Sequence, residues 1–172
     1  MLASALALAI GAVPASGRVL EATATGFRLQ HEVEVGAAQA TAWRTLLDVG
    51  AWWNPAHTYS GAARNLHLDA RPGGCFCERL PHGGGVEHLR VVFVAPPSTL
   101  RLGGALGPLQ GSGLSGSLTF ALAARPDGGT RIRMDYVVGG YLPGGFESMA
   151  PAVDAVLGEQ LERLRRRLEP AR

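Results

Sequence analysis

Two side chains in the middle of the chain carry groups suited to proton transfer. Glu78 and His88 flank the turn-forming stretch Pro81 to Gly85, between two segments of strand composition, Cys75 to Leu80 and Val86 to Val94. If the turn centres on Gly83, Leu80 faces Val86, Glu78 faces His88 and Phe76 faces Arg90 on one side of the hairpin. Arg79 then faces Glu87, and Cys77 faces Leu89, on the other. The Arg79/Glu87 pair suits solvent, which assigns Phe76, Glu78, Leu80, Val86, His88 and Arg90 to the inner face. A carboxylate beside an imidazole under an apolar cover can act as a general acid/base pair, the carboxylate orienting the ring. The same two residues also make a satisfied internal ion pair, and a one-residue slip would turn both outward.

Three further positions have chemical potential. His57 follows Trp52, Trp53 and Pro55 and precedes Tyr59, where it either meets Glu78 and His88, touches a ligand, or caps a turn. Cys75 and Cys77 are the only cysteines. Side chains two apart on a strand point the same way, and a disulfide between them strains the backbone, so two thiols are the expected state. With His67, His82 or His88 they offer soft ligands for zinc or copper, but the hairpin register puts His88 on the opposite face. No metal site and no cofactor are assigned.

These groups need a frame. Val153, Val156, Leu157, Leu161, Leu164 and Leu168 recur at three- and four-residue steps and predict one long amphipathic helix over Pro151 to Leu168. Pro151 suits a first turn, with Ser148 or Glu147 ahead of it as cap. Phe27, Leu29, His31, Val33 and Val35 alternate with polar residues, as in a half-buried strand. A short helix follows over Ala37 to Leu47, then a second one broken at Pro55. Strands are expected at Leu66–Leu68, Cys75–Leu80, Val86–Val94, Thr99–Leu102, Leu114–Ala123 and Thr130–Val138, separated by Gly- and Pro-rich turns. The chain therefore reads as α+β: seven antiparallel strands, two short helices after the first strand, and a long C-terminal helix.

With 172 residues, 47% of them hydrophobic and 17% charged, the chain is long and apolar enough for one globular domain, placed at residues 25–170. Its 16 basic residues are all arginine, and four of them (Arg163, Arg165, Arg166 and Arg167) lie on the last helix. No basic stripe with interleaved aromatics remains elsewhere, so no nucleic-acid partner is expected. Met1 to Ala15 is uncharged, rich in Ala and Leu, and ends in small residues. It is read as a signal peptide within residues 1–24, cleaved near Ala15 or Ala24, which implies an exported protein with no stable membrane insertion afterwards. Gly103 to Gly113 lacks the Lys-Ser/Thr ending of a phosphate loop, and the nearby serines do not form a nucleophile elbow.

The order of elements, together with Ala42-Trp43, Trp52-Trp53 with Pro55 and His57, Pro72-Gly73-Gly74 ahead of a strand bearing Glu78, and Pro96-Pro97 followed by Leu100 to Leu102, resembles the helix-grip fold of the START-like superfamily. That superfamily includes the birch pollen allergen, lipid-transfer domains and the polyketide cyclase/dehydratase group. The resemblance implies a strongly curved sheet around the terminal helix, with a cavity between them for a small hydrophobic or amphipathic molecule. It places His57 at the pocket mouth. Trp52, Trp53, Tyr59, Tyr136, Tyr141 and Phe146 become candidate walls, Gly103 to Gly113 a gate, and Gly139 to Gly145 its partner. Ligand binding, cofactor-free cyclase/dehydratase chemistry through Glu78, His88 and His57, and a chaperone co-activator-like interaction module are the three functions this leaves. Oligomeric state is not legible from the sequence.

Overall fold

The computed structural model describes residues 16–169. Among these, eight strands form one open antiparallel sheet: β1 (Ser16–Ala22), β2 (Gly26–Val35), β3 (Leu66–Leu68), β4 (Cys75–Arg79), β5 (Gly85–Ala95), β6 (Thr99–Gly103), β7 (Ser115–Ala124) and β8 (Thr130–Gly139). Their order across the sheet is β1-β2-β8-β7-β6-β5-β4-β3. Helix α1 (Gln39–Leu47) follows β2, and α2 (Ala150–Leu168) ends the fold. This is the helix-grip arrangement, with one strand more than expected. The segment read as a second short helix, Ala51 to Gly61, holds a 3₁₀ turn at Pro55–His57, flanked by further 3₁₀ turns at Val49–Ala51 and Ala63–Asn65.

The additional strand, β1, lies in the stretch assigned to the leader. A bulge between Val19 and Glu21 breaks its alternation, which hides the strand in the sequence. Cleavage after Ala15 would leave β1 whole, whereas cleavage at Ala24 would remove it. Met1 to Ala15 lies outside the described residues.

Strict alternation builds the inner face. Phe27, Leu29, Val33 and Val35 of β2 are buried opposite Val138, Tyr136, Ile132 and Thr130 of β8. Leu118, Phe120 and Leu122 of β7 and Leu100 and Leu102 of β6 extend that face. Helix α2 closes over it with Leu157, Leu161, Leu164 and Leu168, all buried. Burying a leucine fully is worth about 2 kcal/mol, so this stripe is a main attachment of helix to sheet. The start of α2 differs from expectation. Met149 precedes it without any side-chain cap, and the N–H of Ala150 bonds instead to the Phe146 carbonyl at 2.9 Å.

One polar contact lies within this interface. His31 on β2 is buried, and its Nε2 lies 2.8 Å from Asp154 Oδ1 of α2. Glycines make the room for it. A Cβ on Gly158 would stand 2.7 Å from His31 Cε1, and one on Gly17 would stand 1.7 Å from Nδ1.

Candidate functional site

The N-terminal half of α2 carries smaller and less buried side chains than the C-terminal half, and there the helix roofs a cavity of about 450 Å³. Met149, Ala152, Val153, Val156 and Leu157 form the roof, and Leu106 to Leu109 form one wall. Trp53, Phe76, His88 and Tyr59 form another, as a continuous run of rings. Trp53 and Phe76 meet edge to face at 5.4 Å, Phe76 and His88 lie 5.0 Å apart, and His88 and Tyr59 lie 5.9 Å apart. A volume of this size suits a small organic ligand.

Glu78 and His88 meet on the inner face, by a route the expected register did not contain. Pro81–Gly83 forms a tight 3₁₀ turn closed by the Leu80 N–H on the Gly84 carbonyl. This shifts the pairing by two, so that Glu78 stands opposite Val86. A two-residue shift preserves the face. His88 is then the extra residue of a bulge, because Cys77 pairs with Glu87 while Phe76 pairs with Leu89. Both His88 and Leu89 turn inward as a result, and Arg90 and Val91 change face, until a second bulge at Val92 restores the alternation.

That change corrects two expectations. Arg90, expected in the site, points outward, where its guanidinium donates to Glu87 and to the Gly73 carbonyl. Glu87 therefore pairs with Arg90 and not with Arg79.

Glu78 is 1% exposed, and its carboxylate accepts from the Tyr59 N–H at 3.0 Å, the Ser60 N–H at 2.5 Å and His88 Nε2 at 3.0 Å. Burial alone would raise its pKa, but the donors at Ser60, Tyr59 and His88 outweigh it and hold the carboxyl below its usual range. His88 is displaced in the direction of neutrality. Burial pushes its pKa below the ordinary imidazole value, against the hydrogen bond and charge of Glu78. The pair at neutral pH is thus a carboxylate and a neutral imidazole. Since Nε2 holds the proton donated to Glu78, Nδ1 carries a bare lone pair, and this buried atom has no partner among the described residues.

The remaining expected residues divide. Trp53, Tyr59 and Phe76 line the cavity, and Tyr59 is half exposed at its mouth. His57 also lines it, but its Nε2 pairs with Glu159 of α2 at 3.2 Å and not with Glu78 or His88. Trp52 lies deeper and donates its indole N–H to the Leu46 carbonyl at 3.2 Å. Tyr136 and Phe146 are fully buried and pack on Phe27, outside the lining. Tyr136 still serves the site. Its hydroxyl accepts from the Leu106 N–H at 2.8 Å, fixing the wall, and burial pushes its pKa up to about 12. Tyr141 is 81% exposed, so the Gly139 to Gly145 segment supplies no wall. The two cysteines are joined as a Cys75–Cys77 disulfide, contrary to the expected thiols.

Several contributors were not foreseen. The Asn54 N–H donates to Gln160 Oε1 at 2.8 Å, Asn54 Nδ2 donates to Glu159 at 2.5 Å, and Arg163 donates to the Trp52 carbonyl at 2.9 Å. These bonds latch the aromatic segment onto α2. In the sequence Gln160 reads as an ordinary polar helix position, although it is buried. The Gly107–Ser112 segment is a 3₁₀ helix, and the Gln110 side chain ties it to the Glu87 and His88 carbonyls at the bulge.

An open antiparallel sheet gripping a C-terminal helix around an apolar cavity, with one buried carboxylate–imidazole pair in its wall, defines a helix-grip protein with an internal pocket. The chain belongs to the polyketide cyclase / dehydrase and lipid transport family, whose sequence profile it matches over residues 26–169. No curated protein matches it. Solved structures share the fold at low identity. A conserved protein of unknown function, EF2215 from Enterococcus faecalis, superposes with a TM-score of 0.61 at 16% identity, over 90% of this chain and 77% of its own. CalU16 from Micromonospora echinospora gives 0.55 at 14%, over 87% and 83%. DynU16, from the dynemicin biosynthetic locus, gives 0.56 at 19%, over 82% of this chain and 46% of its own. Among the described residues no helix is long and apolar enough to cross a membrane.

Proposed function

We propose that the protein binds a small, largely apolar molecule carrying one hydrogen-bond donor, with the donor set on His88 Nδ1. One observation carries this reading: the 450 Å³ cavity has an almost wholly apolar lining to which the His88 ring contributes, and the Nδ1 of that ring, closed off in this fold, has no partner among the described residues, so that a ligand donor reaches it through a small local shift of the wall. Leaving such an atom unsatisfied costs about 1–3 kcal/mol, which a ligand hydroxyl or N–H would recover. The open volume argues against an interaction module with a filled interior. The apolar Met1–Ala15 stretch supports export, with cleavage near Ala15 as the site compatible with β1.

The test is to purify the protein gently from its host and identify co-purifying small molecules by mass spectrometry. A bound apolar compound with a hydroxyl or N–H group supports the reading. Bound compounds that carry acceptors alone, or no uptake of any apolar probe, overturn it.

The carboxylate–imidazole pair favours a second reading, catalysis. On a substrate with an acidic C–H next to a carbon bearing a hydroxyl, His88 Nδ1 would take the proton while Glu78 steadies the imidazolium. Returning that proton to the hydroxyl releases water and leaves a C=C bond, so the step balances without a cofactor. Turnover of such a substrate, lost by about 100-fold in Glu78→Gln, would place the protein among the enzymes.

A further inference from the structure

Away from the cavity, Cys75 and Cys77 project from the outer face of β4, since Phe76 and Glu78 take the inner one. His67 of the neighbouring β3 stands directly opposite Cys77 in the ladder and so shares that face. Its Nε2 lies 3.8 Å from Cys75 Sγ, and the ligand atoms of all three residues lie within 4.8 Å of one another. Neither His82 nor His88 belongs to this group.

We propose that reduction of the Cys75–Cys77 disulfide turns this face into a binding site for a soft, thiophilic cation, with Cu(I) as the best fit to its two thiolates and one imidazole. Thiolate sulfur selects soft cations, and three such donors complete a trigonal shell for Cu(I). With bonds of about 2.3 Å to sulfur and 2.0 Å to nitrogen, two ligands at trigonal angles stand about 3.7 Å apart. The observed 3.8 Å between His67 Nε2 and Cys75 Sγ has that spacing. Paired strands hold His67 opposite the two cysteines, and reduction frees the two sulfurs, bonded to each other in the oxidised chain, to swing apart by side-chain rotation and open the shell. Zn(II), which takes a fourth ligand, binds more weakly here. A dithiol reductant supplies two electrons and two protons to the disulfide and becomes a disulfide itself. Cu(I) then displaces the two thiol protons to solvent. Oxidation closes the site by joining two of its ligands, so metal uptake follows redox state. The cavity plays no part in this.

The experiment uses the full chain, reduced with dithiothreitol, freed of it anaerobically, and titrated with Cu(I) against the chelator bicinchoninate. The expected result is one Cu(I) per reduced chain, none in the oxidised chain, and an X-ray absorption shell of two sulfurs and one nitrogen. His67→Ala, at an exposed position, should keep its circular dichroism, lose the nitrogen and weaken binding by about tenfold or more. Cys75→Ser and Cys77→Ser should each abolish competition with the chelator. The proposal is overturned if the reduced chain competes no better than the Cys75→Ser/Cys77→Ser double variant. A metal shell unchanged in His67→Ala, or Zn(II) held more tightly than Cu(I), also overturns it.

Discussion

Replacing Glu78 by Gln tests how the buried pair is wired. The substitution keeps shape and removes charge, but three donors converge on the two carboxylate oxygens: the Tyr59 N–H and His88 Nε2 on one, the Ser60 N–H on the other. An amide offers only one oxygen. With its NH₂ toward Ser60, two donors face each other at the 2.5 Å position. With its NH₂ toward Tyr59 and His88, the Tyr59 N–H loses its acceptor, and His88 must shift its proton to Nδ1 so that Nε2 can accept. Either way a buried donor is orphaned, at about 1–3 kcal/mol. For a chain of this size about 2 kcal/mol corresponds to a fall of roughly 4–8 °C in unfolding temperature. Differential scanning calorimetry reads that fall, and ¹⁵N NMR of the imidazole reads the tautomer. Wild-type protein should show a protonated Nε2 and a bare Nδ1. An unchanged unfolding temperature in Glu78→Gln, or a wild-type ring protonated at Nδ1, would refute the wiring.

Other outcomes follow from the same geometry. The lowered pKa of His88 means that the unfolded chain binds more protons just below the ordinary imidazole value of 6.5. Stability should therefore fall as pH drops below that value, and Glu78, with its depressed pKa, should extend the loss below 4.5. Denaturant midpoints across pH should show the first part of this decline flattened in His88→Phe. Gly158→Ala brings a Cβ to 2.7 Å from the His31 ring; the clash, worth about 1–3 kcal/mol, should outweigh a helix-propensity gain of about 1 kcal/mol. In a His31→Ala background the same change should become stabilising, which a double-mutant cycle by urea unfolding measures. Val156→Phe fills the cavity from the roof. It should abolish uptake of 2-naphthol in a fluorescence titration while moving the unfolding temperature by no more than about 3 °C.

Much of this was legible because strands and helices write their faces in the sequence. The alternation from Phe27 to Val35 and the leucine stripe of α2 fixed the sandwich of sheet and helix. Glu78 and His88 were readable as inward neighbours because a two-residue error in the turn leaves faces unchanged. Arg90 was not readable, since only the bulge at His88 reverses its side, and no residue type marks that bulge. Tyr141 failed for a different reason: aromatic identity says nothing of burial, and the loop containing Gly140, Gly144 and Gly145, each with positive φ, carries it into solvent. The latch through Asn54, Glu159 and Gln160 joins residues more than a hundred positions apart, beyond any local pattern. The shared outer face of Cys75 and Cys77 was legible from their spacing and the hairpin register, but whether the two sulfurs are joined was not.

The central claim is an apolar cavity with one lone-pair acceptor, and the most direct measurement compares 2-naphthol with its methyl ether in calorimetric titrations. The two share a ring system and differ in the donor. One hydrogen bond of about 1 kcal/mol predicts that 2-naphthol binds roughly fivefold more tightly, and that His88→Phe erases the preference. Equal affinities in the wild-type protein, or a preference that survives in His88→Phe, would contradict the account.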